Sequence, residues 1–264
     1  MIIVGERING TSRRIREAVV SRNAELISDL ARRQAEAGAD YLDVNAGTDP
    51  EREPDDMVWL VQTVQAAVDR PCCIDSPNFE SLRAGLRVHR GQALVNSASA
   101  EAARLAPTLA LAVEYRARLV GLTLDDTGLP KTAAQRVAIA TRIGEAAAAA
   151  RLPLCDLFID PLARAVAVEN DQGAAFLGAV EGIVAALPGG HVICGLSNIS
   201  FQMPLRPLLN RTFLAMAMAR GLDAAILDPL DKSLMATACA GHVLLGQDEM
   251  CLGYIQAFRG GRLE

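Results

Sequence analysis

The stretch PCCIDSPN, residues 71–78, contains the pattern from which we predict the fold. It is apolar without alternation up to Ile74, which is typical of a parallel strand covered on both faces. It then reaches Asp75, turns at Pro77 and continues into Asn78, a residue type that often caps a helix. Asp75 is itself a common cap, so this stretch alone leaves open whether its carboxylate caps the helix or faces a ligand.

The same strand–turn–helix pattern recurs along the chain. Apolar runs occupy residues 1–6, 40–45, 71–76, 93–97, 118–124, 156–160, 191–198 and 224–228. The segments between them carry the 3.6-residue period of amphipathic helices. Eight such units in 264 residues predict one α/β domain spanning residues 1–264, a (β/α)8 TIM barrel. A doubly wound open sheet is the structural alternative, although it rarely uses eight units so evenly.

Charge and hydropathy exclude several classes of partner. The formal net charge of −5 argues against binding to nucleic acid or to an anionic membrane surface. No run reaches the roughly 18 apolar residues that a membrane span needs. The first ten residues, MIIVGERING, show neither a basic region nor a cleavage site, so we expect no signal peptide.

The cysteine pattern indicates a reducing compartment. Six cysteines are scattered through apolar segments, at positions 72, 73, 155, 194, 239 and 251. Their spacing is not that of a metal site, and free cysteine is among the most buried residue types. We therefore predict buried, reduced thiols in a cytoplasmic protein.

Polar residues follow each predicted strand, at the face where a (β/α)8 barrel has its active site. Each of them, taken alone, is more often a helix cap than a ligand contact. Together they form a rim rich in carboxylates and amides: Glu6, Arg7 and Asn9; Asp43 and Asn45; Asp75 and Ser76; Asn96 and Ser97; Thr123, Asp125 and Asp126; Asp160; Ser197 and Asn198; and Asp228.

This rim favours one kind of ligand over three others. A phosphate would call for a glycine-rich loop and a basic residue near the last strands, yet the last strand ends in Asp228-Pro229-Leu230-Asp231. None of the three histidines falls at a strand end, so we predict no metal site and no histidine-activated nucleophile. Carboxylates and amides suit a flat heterocycle with amino and carbonyl groups, approached from three strands by Asp75, Asn96 and Asp160.

Several motifs, taken in order, resemble the pterin-binding methyltransferases. They are GERING (5–10), LDVNAG (42–47), ID (74–75), VNS (95–97), GLTLDDTGLP (121–130), FIDP (158–161), GLSNIS (195–200) and NRTFLAMAMARGLDAAILD (210–228). The methyltetrahydrofolate:corrinoid protein methyltransferases are most similar. The folate-binding module of cobalamin-dependent methionine synthase and dihydropteroate synthase resemble the chain more distantly. The resemblance covers essentially the whole chain.

The resemblance implies roles for individual residues. It implies that Asp75, Asn96 and Asp160 hold the pterin ring. Asn198 is expected near the nitrogen that carries the methyl group, where its hydrogen bond would strengthen in the transition state. Asp160 is expected in a network with Asp75 and water that delivers a proton. The remaining residues expected around the folate are Gly195, Ser197, Gln202 and Arg206.

The resemblance also implies substrates and partners. Tetrahydrofolate and 5-methyltetrahydrofolate are the expected small-molecule substrates, and the methyl group moves to or from the cobalt of a cobalamin-type corrinoid. The chain lacks the Asp-x-His-x-x-Gly signature of base-off cobalamin modules, so we expect a separate corrinoid protein to dock over the barrel mouth, on loops 47–56 and 162–172. Relatives of this kind are dimers, and the apolar segment 212–219 suits a barrel wall or a subunit interface, so we expect a homodimer.

Three alternatives stay open at this point. The methyl group can be drawn from methyltetrahydrofolate, as in acetyl-CoA synthesis, or delivered to tetrahydrofolate by a demethylating system. A dihydropteroate synthase would bind a pyrophosphate leaving group with basic residues, which the acidic end of the last strand does not offer. A folate-binding protein without catalysis is the third possibility.

Overall fold

A computed structural model that describes residues 1–263 shows a barrel of parallel strands. The strands of the described chain are β1 Ile2–Asn9, β2 Tyr41–Asn45, β3 Cys72–Asp75, β4 Leu94–Ser99, β5 Arg118–Leu122, β6 Leu157–Asp160, β7 His191–Val192 and β8 Ala224–Leu227. Neighbours pair in parallel in the order β7-β6-β5-β4-β3-β2-β1-β8. A parallel bridge between Gly195 and Ile226 links the two ends, so the sheet is a nearly closed barrel. The predicted (β/α)8 fold is confirmed.

Helices connect the strands and cover the outside of the barrel. They are α1 Arg13–Val20, α2 Ala24–Glu36, α3 Glu53–Ala67, α4 Phe79–Val88, α5 Leu105–Glu114, α6 Ala133–Ala149, α7 Gln172–Ala186, α8 Arg206–Met218, α9 Lys232–Leu244 and α10 Leu252–Arg259. Among residues 1–263, no helix is both long and apolar enough to cross a membrane.

Local sequence signals explain where two of these helices begin. Asn78 caps α4, because its side-chain oxygen accepts a hydrogen bond from the Glu80 backbone N–H at 3.0 Å. Thr132 caps α6, and Gln135 completes a capping box by accepting from the Thr132 backbone N–H at 3.1 Å. Since Asn78 caps α4, the carboxylate of Asp75 is available for another role.

The seventh strand differs from the prediction. The apolar run at 191–198 predicts one long strand, but β7 ends at Val192 and residues Leu196–Ser200 form a 3-10 helix. Pairing persists a little further, since the Ile226 N–H donates to the Cys194 carbonyl at 2.8 Å, and the chain turns at Gly195. A short apolar run has the same appearance in a buried strand and in a buried turn, so the pattern does not reveal this break.

Three of the six cysteines are buried. Cys72, Cys73 and Cys194 are buried as predicted, whereas Cys155 and Cys251 are exposed. Both exposed residues lie in short 3-10 turns outside the barrel wall, where no second layer covers them. All six thiols are unpaired in the described chain.

Candidate active site

One layer of buried side chains in the barrel interior takes one residue from each strand, except that the seventh residue lies directly after β7. The layer consists of Val4, Tyr41, Cys73, Leu94, Val120, Phe158, Ile193 and Ala224. Side chains alternate between the two faces of a strand, so the next inward-facing residue lies two positions further on. Those eight residues are Glu6, Asp43, Asp75, Asn96, Leu122, Asp160, Gly195 and Ile226, and all eight line one cleft at the carboxyl ends of the strands.

This cleft has a volume of about 650 Å³ and brings together most of the predicted site. Six of the eight predicted residues line it: Asp75, Asn96, Asp160, Gly195, Ser197 and Asn198. The other two, Gln202 and Arg206, do not. The cleft thus joins residues from strands β3, β4 and β6 with the segment that follows β7.

Arg206 and Gln202 lie beside the cleft instead. The Arg206 guanidinium donates to the Ser197 carbonyl at 2.8 Å and to the Ser200 hydroxyl at 3.1 Å, which ties the 3-10 helix to the start of α8. Gln202 is exposed, with φ of 64°, just after that helix. Their contact with a ligand therefore stays a prediction.

Asn198 reaches the cleft because the residue at 195 has no side chain. A Cβ added to Gly195 would lie 2.9 Å from the Asn198 amide nitrogen, closer than side chains tolerate. Asn198 itself is exposed at the mouth of the cleft. The glycine and the asparagine of the GLSN motif therefore form one structural unit.

Asp160 is a buried carboxyl at the end of β6. It accepts a hydrogen bond from the Leu162 N–H at 2.7 Å. Burial raises the pKa of Asp160 to about 7, although the Leu162 and Gly195 N–H groups and the charge of Arg136 act in the opposite direction. Near neutral pH this group therefore both holds and releases a proton.

Asp43, which is buried, and Asp75, which is half-buried, are neighbouring acidic residues on β2 and β3. Asn45 donates to Asp75 Oδ2 at 3.0 Å, and Asn9 donates to Asp43 Oδ2 at 3.1 Å. Burial raises the pKa of both carboxyls, and the charge of Asp75 adds to the rise at Asp43. Each carboxyl thus accepts a hydrogen bond from one side-chain amide and lines the cleft.

One atom of that pair lacks a partner. Asp43 Oδ1 is buried and has no hydrogen-bond partner among the described residues. Leaving a buried oxygen unpaired is costly, so a donor from a ligand is the natural partner. The sequence places Asp43 at a strand end but does not single it out as a ligand contact. The two-residue step from Tyr41 would have identified it.

Glu6 is a further cleft residue that the sequence reasoning did not select. Burial and the neighbouring charge of Asp228 raise the pKa of Glu6 to about 7, and the Ser197 hydroxyl donates to it at 3.4 Å. Two carboxyls with a pKa near 7 in one cleft allow proton exchange at physiological pH.

The histidines lie away from this cleft. His89 accepts from the Cys72 N–H at 2.9 Å, His191 Nδ1 lies 2.6 Å from Asp223, and His242 Nε2 lies 2.6 Å from the N-terminal amine. Within residues 1–263, no group of three or more His, Cys, Asp or Glu side chains is arranged to hold a metal ion.

The predicted docking loop at 47–56 needs correction. Helix α3 begins at Glu53, which is buried and accepts from the Ser76 hydroxyl at 2.8 Å. Asp56 is fully buried and forms ion pairs of 2.8 Å with both Arg22 and Arg52. These charged residues belong to the helical layer around the barrel, so the loop predicted to dock the corrinoid protein ends at Arg52.

Comparison with known proteins identifies the class of molecule. Residues 5–228 match the family described as "Pterin binding enzyme", so the chain belongs to the pterin-binding enzymes and the predicted membership is confirmed. Over its full length the chain is 38% identical to the methylcorrinoid:tetrahydrofolate methyltransferase of Eubacterium limosum, covering 98% of that protein.

Two other comparisons are more distant. The methionine synthase of Mycobacterium tuberculosis is 30% identical over an alignment of 239 positions that covers 86% of this chain and 20% of that protein, so the chain spans about a fifth of its length. The dihydropteroate synthase of Xanthomonas albilineans, solved with 7,8-dihydropteroate, superposes with a TM-score of 0.68 at 19% identity, over 93% of this chain and 92% of that one. At that identity the likeness shows the fold alone.

Proposed function

We propose that this pterin-binding enzyme transfers a methyl group between tetrahydrofolate and the cobalt of a corrinoid held by a separate protein. One observation carries the proposal. Buried and half-buried carboxylates, with an unpaired oxygen at Asp43, line the same cleft as the exposed amide of Asn198. The full-length similarity to a methylcorrinoid:tetrahydrofolate methyltransferase supports the same chemistry.

The carboxylates of the cleft recognise the pterin ring. An ionised carboxylate accepts two parallel N–H bonds from an amino-pyrimidinone edge, and an amide both donates and accepts. Asp75, Asn96 and Asp160 make these contacts, and Asp43 Oδ1 gains the donor that it lacks. Pairing every buried polar group selects this heterocycle against one without the same donors.

Asn198 and the carboxyls of the cleft assist the reaction at the nitrogen that carries the methyl group. When the methyl group leaves, the carbon–nitrogen bond breaks, the electron pair stays on the nitrogen, and a proton must reach that nitrogen. When the methyl group arrives, the nitrogen loses its proton. The Asn198 amide hydrogen-bonds this nitrogen as its charge changes, and the carboxyls with a pKa of about 7, Glu6 and Asp160, exchange the proton with it. The corrinoid supplies a cobalt that forms or breaks the bond to the methyl carbon.

The physiological direction is from methylcorrinoid to tetrahydrofolate. The similar Eubacterium limosum protein is named for a methylcorrinoid donor and a tetrahydrofolate acceptor.

The assembly comprises one barrel domain over residues 1–264, a separate corrinoid protein and a second copy of this chain. The exposed apolar residues Leu208, Met216, Leu244, Leu252, Ile255 and Phe258, here called the C-terminal apolar face, support a homodimer. They lie on α8, α9 and α10, which pack against one another in that order. The six unpaired thiols support a cytoplasmic location.

The test is methyl transfer with free cobalamin. Purified protein is mixed with methylcobalamin and tetrahydrofolate, and the cobalt spectrum is followed in this direction and in the reverse one, from cob(I)alamin and methyltetrahydrofolate. Protein-dependent formation of methyltetrahydrofolate is expected. Tight pterin binding without any methyl transfer would instead favour a non-catalytic folate-binding protein. Condensation of a pterin pyrophosphate with 4-aminobenzoate would make the protein a dihydropteroate synthase.

A further inference from the structure

The cleft has two poles of opposite charge. Its floor consists of the buried or half-buried carboxyls of β1, β2, β3 and β6, whereas the outer wall on the β1–α1 side carries Arg7 and Arg14. Both arginines are exposed. The Arg7 guanidinium lies 3.3 Å from Asp228, and within residues 1–263 no carboxylate lies within 4.0 Å of Arg14.

The other arginine near the mouth is already engaged. Arg206 uses its guanidinium to hold the Ser197 carbonyl and the Ser200 hydroxyl, so it contributes to the 3-10 helix rather than to the open cleft. Arg13, the neighbour of Arg14 in α1, does not line the cleft and pairs with Glu17 at 2.7 Å. Among these three residues, Arg14 alone lines the cleft.

The two ends of a folate match the two oppositely charged ends of the cleft. Its amino-pyrimidinone end donates hydrogen bonds, and its other end carries the carboxylates of one or more glutamates. If the pterin lies on the carboxyl floor, as the proposed function requires, the glutamate end leaves through the mouth. There it meets either the acidic strand ends or the arginines of the β1–α1 side.

We infer that Arg14, with Arg7 beside it, forms a subsite for the glutamate carboxylates of the folate and makes the enzyme prefer folates with several glutamates. This inference rests on the proposed function and extends it to the substrate's tail. Exposed charge pairs are individually weak, so the preference is modest and grows with the number of carboxylates. This preference for several glutamates is expected to disappear at about 1 M salt, where charges are screened over about 3 Å.

The test compares two arginines on the same turn of α1. KM is measured for tetrahydrofolate with one glutamate and with three, in wild type, Arg14→Glu and Arg13→Glu. In wild type the triglutamate form is expected to have a KM about threefold to tenfold lower. Arg14→Glu abolishes or reverses this ratio, while Arg13→Glu, with the same change of charge, keeps it. Binding of a tetrahydropterin without a tail is expected to be equal in all three proteins.

The outcomes separate this inference from the proposed function. Equal KM values for the two folates in wild type, or a loss of preference in both variants alike, would overturn the subsite. If no folate is methylated, the proposed function fails, and direct titration of the two tetrahydrofolates onto the same three proteins still decides the role of Arg14. Arg14→Gln separates loss of the positive charge from added repulsion, and thermal unfolding verifies that each variant is folded.

Discussion

At the scale of single residues, the site depends on Gly195, because a glycine has no side chain. Gly195 leaves the space that the Asn198 amide occupies, since a Cβ there would lie 2.9 Å from the amide nitrogen. The glycine therefore acts through the asparagine as a positioning residue.

Asn198→Ala is expected to lower the methyl-transfer rate at saturating folate about 10- to 1,000-fold, the usual effect of one lost stabilising hydrogen bond. Gly195→Ala is expected to have a similar effect, because it displaces the same amide. The double variant should be no worse than Asn198→Ala alone, since residues that act as a unit are not additive. Stopped-flow measurement of the cobalt spectrum gives these rates.

The matched control is Gly173→Ala. A Cβ at this helical glycine would meet Val166 at an ordinary 3.8 Å, so the variant should keep the wild-type rate. If Asn198→Ala also keeps it, Asn198 has no role in the transition state.

Asp160→Asn is expected to weaken tetrahydrofolate binding while stabilising the folded protein at high pH. The pKa of Asp160 is about 7 in the folded state, against about 4 in an unfolded chain. Between about pH 4 and pH 7 the folded protein therefore keeps a proton that the unfolded chain releases. The free energy of unfolding therefore falls as pH rises from about 4 to 7. Asparagine does not ionise, so the variant does not lose stability in this way, and its side-chain oxygen can still accept a hydrogen bond from the Leu162 N–H.

Urea unfolding at pH 5 and pH 8 measures this effect. The stability gain of Asp160→Asn should be larger at pH 8 by on the order of 2–3 kcal/mol, since one pKa unit corresponds to about 1.4 kcal/mol. Isothermal titration with tetrahydrofolate gives the affinity. Unchanged affinity would argue against pterin recognition by this carboxyl.

At the scale of secondary-structure elements, the structure shows contacts between helices that the sequence does not reveal. Asp55 and Asp56 are adjacent acidic residues in the first turn of α3, and the sequence treats them alike. In the structure Asp55 is exposed, while Asp56 is buried and paired with Arg22, from the turn between α1 and α2, and with Arg52. Asp56 thus links α3 to the turn between α1 and α2.

Asp56→Asn is expected to lower the free energy of unfolding by about 1–3 kcal/mol, because it leaves two arginines near a buried, neutral amide. Asp55→Asn removes the same charge one residue away and should change stability by less than about 0.5 kcal/mol. Chemical denaturation compares the two. Equal effects would mean that the Asp56 ion pairs contribute no net stability.

These elements also mark what a sequence can predict. The eight strands and the caps at Asn78 and Thr132 follow from local patterns, because strands and caps depend on neighbours in the chain. The positions of Asp75, Asn96 and Asp160 in one cleft follow from the barrel itself. The unpaired oxygen of Asp43, the burial of Asp56 and the break after Val192 depend on contacts between distant segments, which local patterns do not encode.

At the scale of the whole molecule, the last helix is poorly covered by its own chain. Within the described residues, α10 buries only Ala257, while Leu252 and Phe258 are 56% and 60% exposed. An eight-residue helix is marginal in water without tertiary packing. A second copy of the chain would supply that packing.

Phe258→Asp is expected to convert the proposed dimer into a monomer, because a carboxylate in an apolar interface loses its hydration. Light scattering after size-exclusion chromatography measures the mass. Val113→Asp, in the groove between α5 and α6 and 39% exposed, is the control and should leave the dimer intact. Dissociation by Val113→Asp but not by Phe258→Asp would place the interface on α5 instead.

The two-residue step between the interior layer and the cleft has a consequence for protein quality control. A slip of one residue in any strand would turn its cleft residue outward. In β3, such a slip would present Ile74 to the ligand in place of Asp75. Barrels that close in the wrong register therefore lose the ring of carboxyls, even when their apolar packing is partly satisfied. Tetrahydrofolate would bind selectively to correctly registered chains and stabilise them, so the substrate would act as a chemical chaperone for its own enzyme.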